Sequence, residues 1–314
     1  MGQLRARASA SFGAHVVAVC DSSREVAEML AREFYGCRVF ERQEDLDWQA
    51  LDAVFVCTPP AARGPVEIEA ARHRTALFVE KPIGLSAGAL EPLRQALLKS
   101  DTLTAVGYMN RYRASVQEAR AKLAVGTVLC AAGYWVNGVY NVPWWSDADL
   151  SGGSLNEQAT HLVDLARFLI GDIESVQASA VMYPDKPDLI GTAVINLRCE
   201  SGVLCSLLYS CRASHKAVSF QAFTEAGSMR LNGWDLDLLD GTGSSPLSQP
   251  TTDRYRIFHE ETDIFLKAVS TDTPSLVLCD FNDAFRTQQV MDAIALAIHS
   301  GKTEMTTGYA EVAS

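Results

Sequence analysis

Three stretches of the chain place reactive side chains at spacings that chemistry can use. In the first, the apolar run Leu77-Phe78-Val79 meets Glu80-Lys81-Pro82 with no transition. Such residues suit a buried strand, and proline keeps the residue before it out of the helical region. Lys81 is thereby pinned in an extended or turn geometry at a strand's carboxyl end, where open α/β sheets bind ligands. Its ammonium could hydrogen-bond a substrate oxygen or relay a proton; the competing reading is a solvated loop lysine paired with Glu80. In the second, Glu157, His161 and Asp164 fall at i, i+4 and i+7, sharing one helix face, while Leu155, Leu162, Leu165, Ala166 and Leu169 supply its buried side. Histidine titrates nearest neutrality, and a carboxylate one turn away can orient its ring and raise its basicity. The alternative is a solvated face with Asp164 paired to Arg167. In the third, Asp21 closes the apolar run over 15–20. An acid there holds ribose hydroxyls in a dinucleotide-binding βαβ unit, or caps a helix starting near Ser22 or Ser23 with Glu25 in its first turn.

The elements that must position these groups alternate in the manner of a doubly wound sheet. Helices are expected over 3–12, 24–35, 65–73 and 85–99, and strands over 15–21, 37–40, 53–57, 76–79 and 103–107. Residues 1–110 thus read as a Rossmann-like parallel-sheet domain lacking its first strand. If Gly2 is the last glycine of a G-x-G-x-x-G turn, the first two glycines and the opening strand fall upstream of Met1. From 111 to 314 the pattern becomes α+β. A helix over 114–124 and a strand over 128–135 precede a loop bearing Trp144 and Trp145. Ser151-Gly152-Gly153 introduces a helix over 155–170, stopped at Gly171. Strands over 173–182, 191–199, 203–211, 217–224 and 228–231, joined by short turns, make a large open antiparallel sheet. A loop over 241–250 and helices over 258–269 and 282–299 complete the chain.

At 314 residues the chain has room for about two domains, and its 48% hydrophobic and 21% charged composition is that of an ordinary globular protein. A net charge of −11 argues against nucleic-acid or anionic-membrane partners. No apolar run approaches the roughly 20 residues of a membrane span, so a cytoplasmic protein is expected. The 8 cysteines are scattered without C-x-x-C pairs, which favours buried free thiols over disulfides or zinc, and no metal site is expected.

Taken together, five segments resemble the glucose-fructose oxidoreductase / inositol dehydrogenase / MocA family of nicotinamide-dependent oxidoreductases. They are Ala18-Val19-Cys20-Asp21; Val56-Cys57-Thr58-Pro59-Pro60; Glu80-Lys81-Pro82; Gly107-Tyr108-Met109-Asn110-Arg111; and 152–164, which holds Glu157-Gln158-Ala159-Thr160-His161. The segments come in the family's order and span nearly the whole chain. The resemblance implies that Lys81 contacts the reacting oxygen, His161 is the acid/base and Glu157, where the family most often has Asp, assists. It implies NAD, with NADP possible, held by Gly2, Asp21, Ser22, Arg24, Thr58, Pro59, Arg63, Glu80 and Lys81. Asp21 should repel a 2′-phosphate, whereas Ser22, Ser23 and Arg24 could accept one. Arg63 stands where the family commonly has histidine. Substrate contacts are expected from Asn110, Arg111, Trp144, Trp145 and Asp164, the tryptophans stacking on a sugar ring or packing in the core.

The expected reaction is hydride transfer between the cofactor and a secondary alcohol of a sugar, cyclitol or related polyol. Two rival readings are a cofactor-poor relative acting as a sensor or partner protein, and an NAD-dependent glycosidase. A homodimer or homotetramer is expected through the sheet, whose alternating apolar residues such as Val203, Leu207 and Tyr209 mark one side.

Overall fold

The structure, a computed structural model, describes residues 1–184, 186–239 and 255–307; the loop expected over 241–250 lies outside them. Its first unit is built on parallel strands. Strand β3 (Ala53–Val56) pairs with β4 (Ala76–Val79), which pairs with β5 (Thr104–Val106), aligning Val56, Val79 and Val106. Strand β4 reads as an unbroken apolar run because both its faces are covered. Leu77 and Val79 meet α3 (Pro65–His73), α4 (Ala87–Ser100) and the start of α9 (Phe281–Ser300), while Ala76 and Phe78 meet Phe265 of α8 (Arg256–Ser270). Strands β1 (Ala18–Cys20) and β2 (Arg38–Phe40) form a separate parallel pair that shares no ladder with the other three. Helices α1 (Gly2–Ser11) and α2 (Arg24–Ala31) complete this unit.

The second unit is an eight-stranded sheet in the order β12-β11-β10-β6-β9-β8-β7-β13. In chain order these are β6 (Val128–Val136), β7 (Ile173–Tyr183), β8 (Lys186–Cys199), β9 (Leu204–Ser210), β10 (Ala217–Thr224), β11 (Gly227–Asn232), β12 (Asp237–Leu239) and β13 (Glu304–Met305). The sheet is not purely antiparallel: α5 (Ala114–Ala124) leads into it, and β6 and β9, separated by α6 (Ala148–Ser151), α7 (Gly153–Ile170) and the β7–β8 hairpin, run parallel. Strands β12 and β13 escape sequence reading because three and two residues are too short to show alternation.

One helix, α7 (Gly153–Ile170), carries the chemistry-bearing segment, and its residues from Ser154 to Ile170 are all buried. It begins at two glycines in the left-handed region, Gly152 at φ 75° and Gly153 at φ 87°. A Cβ on Gly152 would lie 2.4 Å from Asn156 Nδ2, so only glycine admits this entry. Helix and sheet approach closely at Gly133 of β6, where a Cβ would stand 3.2 Å from Leu162 Cδ1. Two residues along, Trp135 projects from the same face.

The side of the sheet named in the sequence reading faces inward. Cys205, Leu207 and Tyr209 are buried against the core that holds α7, whereas Leu204 and Leu208 are exposed, as are Leu129, Val181, Val194 and Phe223. Leu208 and Val194 are cross-strand partners in this exposed patch. The period of 2 is right; which phase faces solvent follows from the position of α7, which the strand's own sequence does not contain.

A buried ionic cluster ties α1 to the end of β4 and to α8. Arg5 of α1, fully buried, donates Nε to Glu80 Oε1 at 2.8 Å, Nη2 to Glu261 Oε2 at 2.5 Å and Nη1 to Thr262 Oγ1 at 2.9 Å. Glu80, the sequence's candidate partner for Lys81, is therefore engaged by Arg5. Burial pushes the Glu261 carboxyl up to about 7, Arg5 pulling against it and Glu80 with it. That value lies above the ordinary 4.5. The stability it contributes is full at lower pH and is lost as pH rises through about 7. Removing the cation from two buried acids costs about 3–5 kcal/mol. Urea unfolding of Arg5→Met is expected to show a loss of that size above pH 7.5 and a markedly smaller one near pH 5, where Glu261 holds its proton; equal losses at both pH values would refute the assignment.

Candidate active site

A crevice of about 220 Å³ opens between the carboxyl ends of β3 and β4 and the amino-terminal half of α7. Strand β3 ends at Thr58-Pro59-Pro60 and β4 at Glu80-Lys81-Pro82, the Lys81–Pro82 peptide being cis. Of the residues expected to form a site, Thr58, Arg63, Glu80, Lys81, Trp144, Glu157 and His161 line this crevice. The lysine of one unit and the histidine of the other thus meet at one cavity.

Glu157 joins them. Its Oε1 accepts from Lys81 Nζ at 2.5 Å, its backbone carbonyl accepts from the same ammonium at 2.8 Å, and its Oε2 accepts from Trp145 Nε1 at 2.7 Å. Lys81 is therefore not a solvated loop lysine. With both oxygens engaged and the group nearly buried, Glu157 fixes the position of the ammonium. Trp145 is buried behind this carboxylate and does not line the crevice, so of its two readings it follows core packing and not the sugar platform. Trp144, half-buried, does line it.

His161 is held by rings, not by a carboxylate. The Trp135 indole stacks on it with centroids 5.1 Å apart and planes 12° apart, and Tyr108 meets it edge-on at 6.4 Å. Its Nδ1 is buried without a hydrogen-bond partner. Burial, and then the charges of Lys81, Lys216 and Arg113, hold the imidazole well below its usual range, so it is neutral at physiological pH. Lys216 Nζ lies 4.4 Å from the Trp135 ring centroid and 3.7 Å from that of Trp234. Trp135, Trp234, Lys216, Tyr140, Met109, Phe258 and Gln158 also line the crevice, and sequence reasoning missed them as site residues. The available signal was for Trp135: the inward phase of β6 includes it.

Three expected substrate contacts lie elsewhere. Asp164 is buried in a bidentate pair, accepting from Arg111 Nη2 at 2.6 Å and Nε at 2.9 Å, with Thr287 Oγ1 at 3.2 Å. It shares the face of Glu157 but lies seven residues, about 10 Å, further along the helix axis, beyond the crevice. Arg111 also binds Asp283 and the Leu278 carbonyl, locking α7 to α9. Asn110 is buried and accepts from Arg113 Nε at 3.0 Å. From this segment only Gly107 and Met109 reach the crevice.

The residues expected to hold a dinucleotide are distributed along the same rim. Asp21 follows β1 and accepts the Ser23 N–H at 2.9 Å, and Ser23 Oγ caps Val26, so the capping geometry exists with one Asp21 oxygen to spare. Ser22 and Arg24 are exposed beside it, Arg24 pairing with Glu28. Gly2 opens α1, whose first turn has no side-chain cap, and a Cβ there would lie 3.8 Å from Cys57 Cβ at the end of β3. Uncapped N–H groups at a helix start, with Met1 beside them lining the crevice, fit a phosphate-bearing ligand. Arg63 donates to the carbonyls of Val56 and Glu80, clasping the ends of β3 and β4, and Pro59 begins the turn between. Among the described residues, no cluster of three or more His, Cys, Asp or Glu side chains is gathered to hold a metal ion.

Comparison with known proteins agrees with this architecture. Residues 1–108 match the model of the oxidoreductase family with NAD-binding Rossmann fold, and residues 114–230 match the GFO/IDH/MocA C-terminal domain. Scyllo-inositol 2-dehydrogenase (NAD(+)) of Bacillus subtilis is 29% identical over 170 residues, 52% of this chain and 49% of that protein. Inositol 2-dehydrogenase of Rhizobium meliloti is 29% identical over 191 residues, 59% of this chain and 57% of that protein. The matched region spans about half the length of these relatives. In solved structures, levoglucosan dehydrogenase in complex with NADH superposes with a TM-score of 0.85 at 19% identity, covering 98% of this chain and 96% of that one. GenD2 from gentamicin A biosynthesis in complex with NAD gives 0.84 at 20% identity, covering 98% and 94%. At that identity the likeness concerns the fold. With a Rossmann unit and a sheet unit matched in the expected order, the chain belongs to the GFO/IDH/MocA family of oxidoreductases.

Proposed function

We propose that the protein oxidises, reversibly, a secondary alcohol of a sugar, cyclitol or related polyol with NAD. The observation that carries this reading is the convergence of Lys81, fixed by Glu157, and a neutral His161 on one small crevice. The family match and the dehydrogenase names of its relatives support it. Asp21 would hold the adenosine ribose, the first turn of α1 the phosphates, and Thr58, Pro59 and Arg63 the rim beside the nicotinamide. NAD, when bound, supplies the hydride acceptor.

The protein's own residues do the rest. Lys81 donates to the substrate oxygen and stabilises the negative charge that develops as the O–H proton leaves. His161 takes that proton, as its neutral state allows. Glu157 keeps Lys81 in place, and Trp135 keeps the imidazole from turning. Trp144 offers an aromatic face to the apolar side of a ring.

The exposed Leu208–Val194 patch supports self-association through the outer face of the sheet, as a dimer or tetramer. Eight free thiols support a reducing compartment such as the cytoplasm. No helix among the described residues is long and apolar enough to cross a membrane.

Steady-state oxidation of a polyol panel with NAD is expected to show turnover that falls by roughly 10²-fold or more in Lys81→Ala and in His161→Ala. Both variants keep the wild-type circular dichroism spectrum, and full activity in either would overturn its assigned role. The acid limb of kcat/KM is expected well below pH 6.5, because His161 stays neutral there; a limb at or above the ordinary histidine value would contradict the environment described. Sedimentation of Leu208→Glu is expected to show smaller assemblies than wild type, and an unchanged distribution would exclude this face as the contact.

A further inference from the structure

Gln158 is 1% exposed and lines the crevice, yet neither its Oε1 nor its Nε2 has a hydrogen-bond partner in the protein. More than nine in ten buried polar groups are satisfied in folded proteins, and an orphaned amide calls for an explanation. Here both ends of one amide are orphaned. The residue sits between Glu157 and His161 on α7, one turn before the histidine, so it faces the same space as the reacting groups. Across that space Trp135 Nε1 is likewise buried without a partner. Beside His161 Nδ1 and Arg63 Nε, which are also buried there without a partner, the unmet groups at this cavity include an amide donor, an amide acceptor and an indole donor.

The chemistry of that set restricts the ligand. Gln158 Oε1 needs a donor, which a carboxylate or phosphate cannot supply, while Nε2 and Trp135 Nε1 need acceptors. A hydroxyl is both donor and acceptor, and neighbouring hydroxyls satisfy all three groups at once. We propose that Gln158, with Trp135, reads a hydroxyl next to the reacting one. This rests on the location of the site proposed above and adds the group that discriminates among ligands there. A site built to hydrogen-bond a hydroxyl rejects the analogue lacking it far more strongly than an apolar pocket rejects a missing methylene.

Gln158→Met is the test, since methionine keeps the volume and the helix propensity and removes only the amide. Thermal unfolding of wild type and variant is followed with and without myo-inositol, D-glucose and their mono-deoxy analogues, and turnover with NAD is measured in parallel. Without ligand, Gln158→Met is expected to melt at or above the wild-type temperature, because a buried amide with no partner is removed. At least one polyol is expected to stabilise wild type and not the variant. The preference of kcat/KM for that polyol over its deoxy analogue is expected to fall by about 10²-fold or more. A lower melting temperature in the variant with discrimination retained would assign Gln158 to internal water or packing and overturn the proposal. Failure of every neutral polyol to stabilise wild type would overturn it too. Polyol binding lost in the variant supports Gln158 as reader even without turnover, whereas missing turnover alone counts against the redox reading.

Discussion

The structure depends on a carboxylate that has no freedom left. Glu157 receives a lysine from the rim of one unit on one oxygen and an indole N–H from behind on the other. A buried charge without partners costs several kcal/mol; with two good ones it becomes a fixed point. It sets how far Lys81 extends and hence, in the reaction proposed, where a substrate oxygen would be met. Glutamate suits this role because its extra methylene, relative to aspartate, lets one group span from Trp145 to Lys81.

The same logic recurs at larger scale. Arg5 holds Glu80 and Glu261, Arg111 holds Asp164 and Asp283, and Arg167 holds Asp172 and Asp283. Each guanidinium is buried, and each joins elements distant in sequence. Together they fix α1, α7, α8 and α9 around the ends of β3 and β4. Hydrophobic packing alone tolerates sliding, but forked hydrogen bonds do not. Among the described residues lining the crevice, buried polar atoms without a protein partner include the Gln158 amide, Trp135 Nε1, His161 Nδ1 and Arg63 Nε.

Much of this was legible in the residues. The doubly covered strand β4 announces itself as an unbroken apolar run, and the abrupt Glu80-Lys81-Pro82 boundary marks the rim. The i, i+4 pair Glu157 and His161 follows from helical period. What the sequence could not carry was partner choice. Asp164 shows the same period as Glu157 yet lies two turns further along α7, outside the cavity lining, with Arg111. His161 lacks a carboxylate because the nearby one is spent on Lys81 and Trp145. The outward phase of β9 depends on where α7 lies, and Trp135 becomes a site residue only when Gly133 lets α7 come close.

The central claim is that Glu157 acts through Lys81 and not on the substrate. A double-mutant cycle in kcat/KM, using Lys81→Met, Glu157→Gln and the combined variant, tests it most directly. The account predicts that the combined variant is no slower than Lys81→Met alone, because the carboxylate has nothing left to hold. Losses that multiply would show an independent role for Glu157 and contradict it.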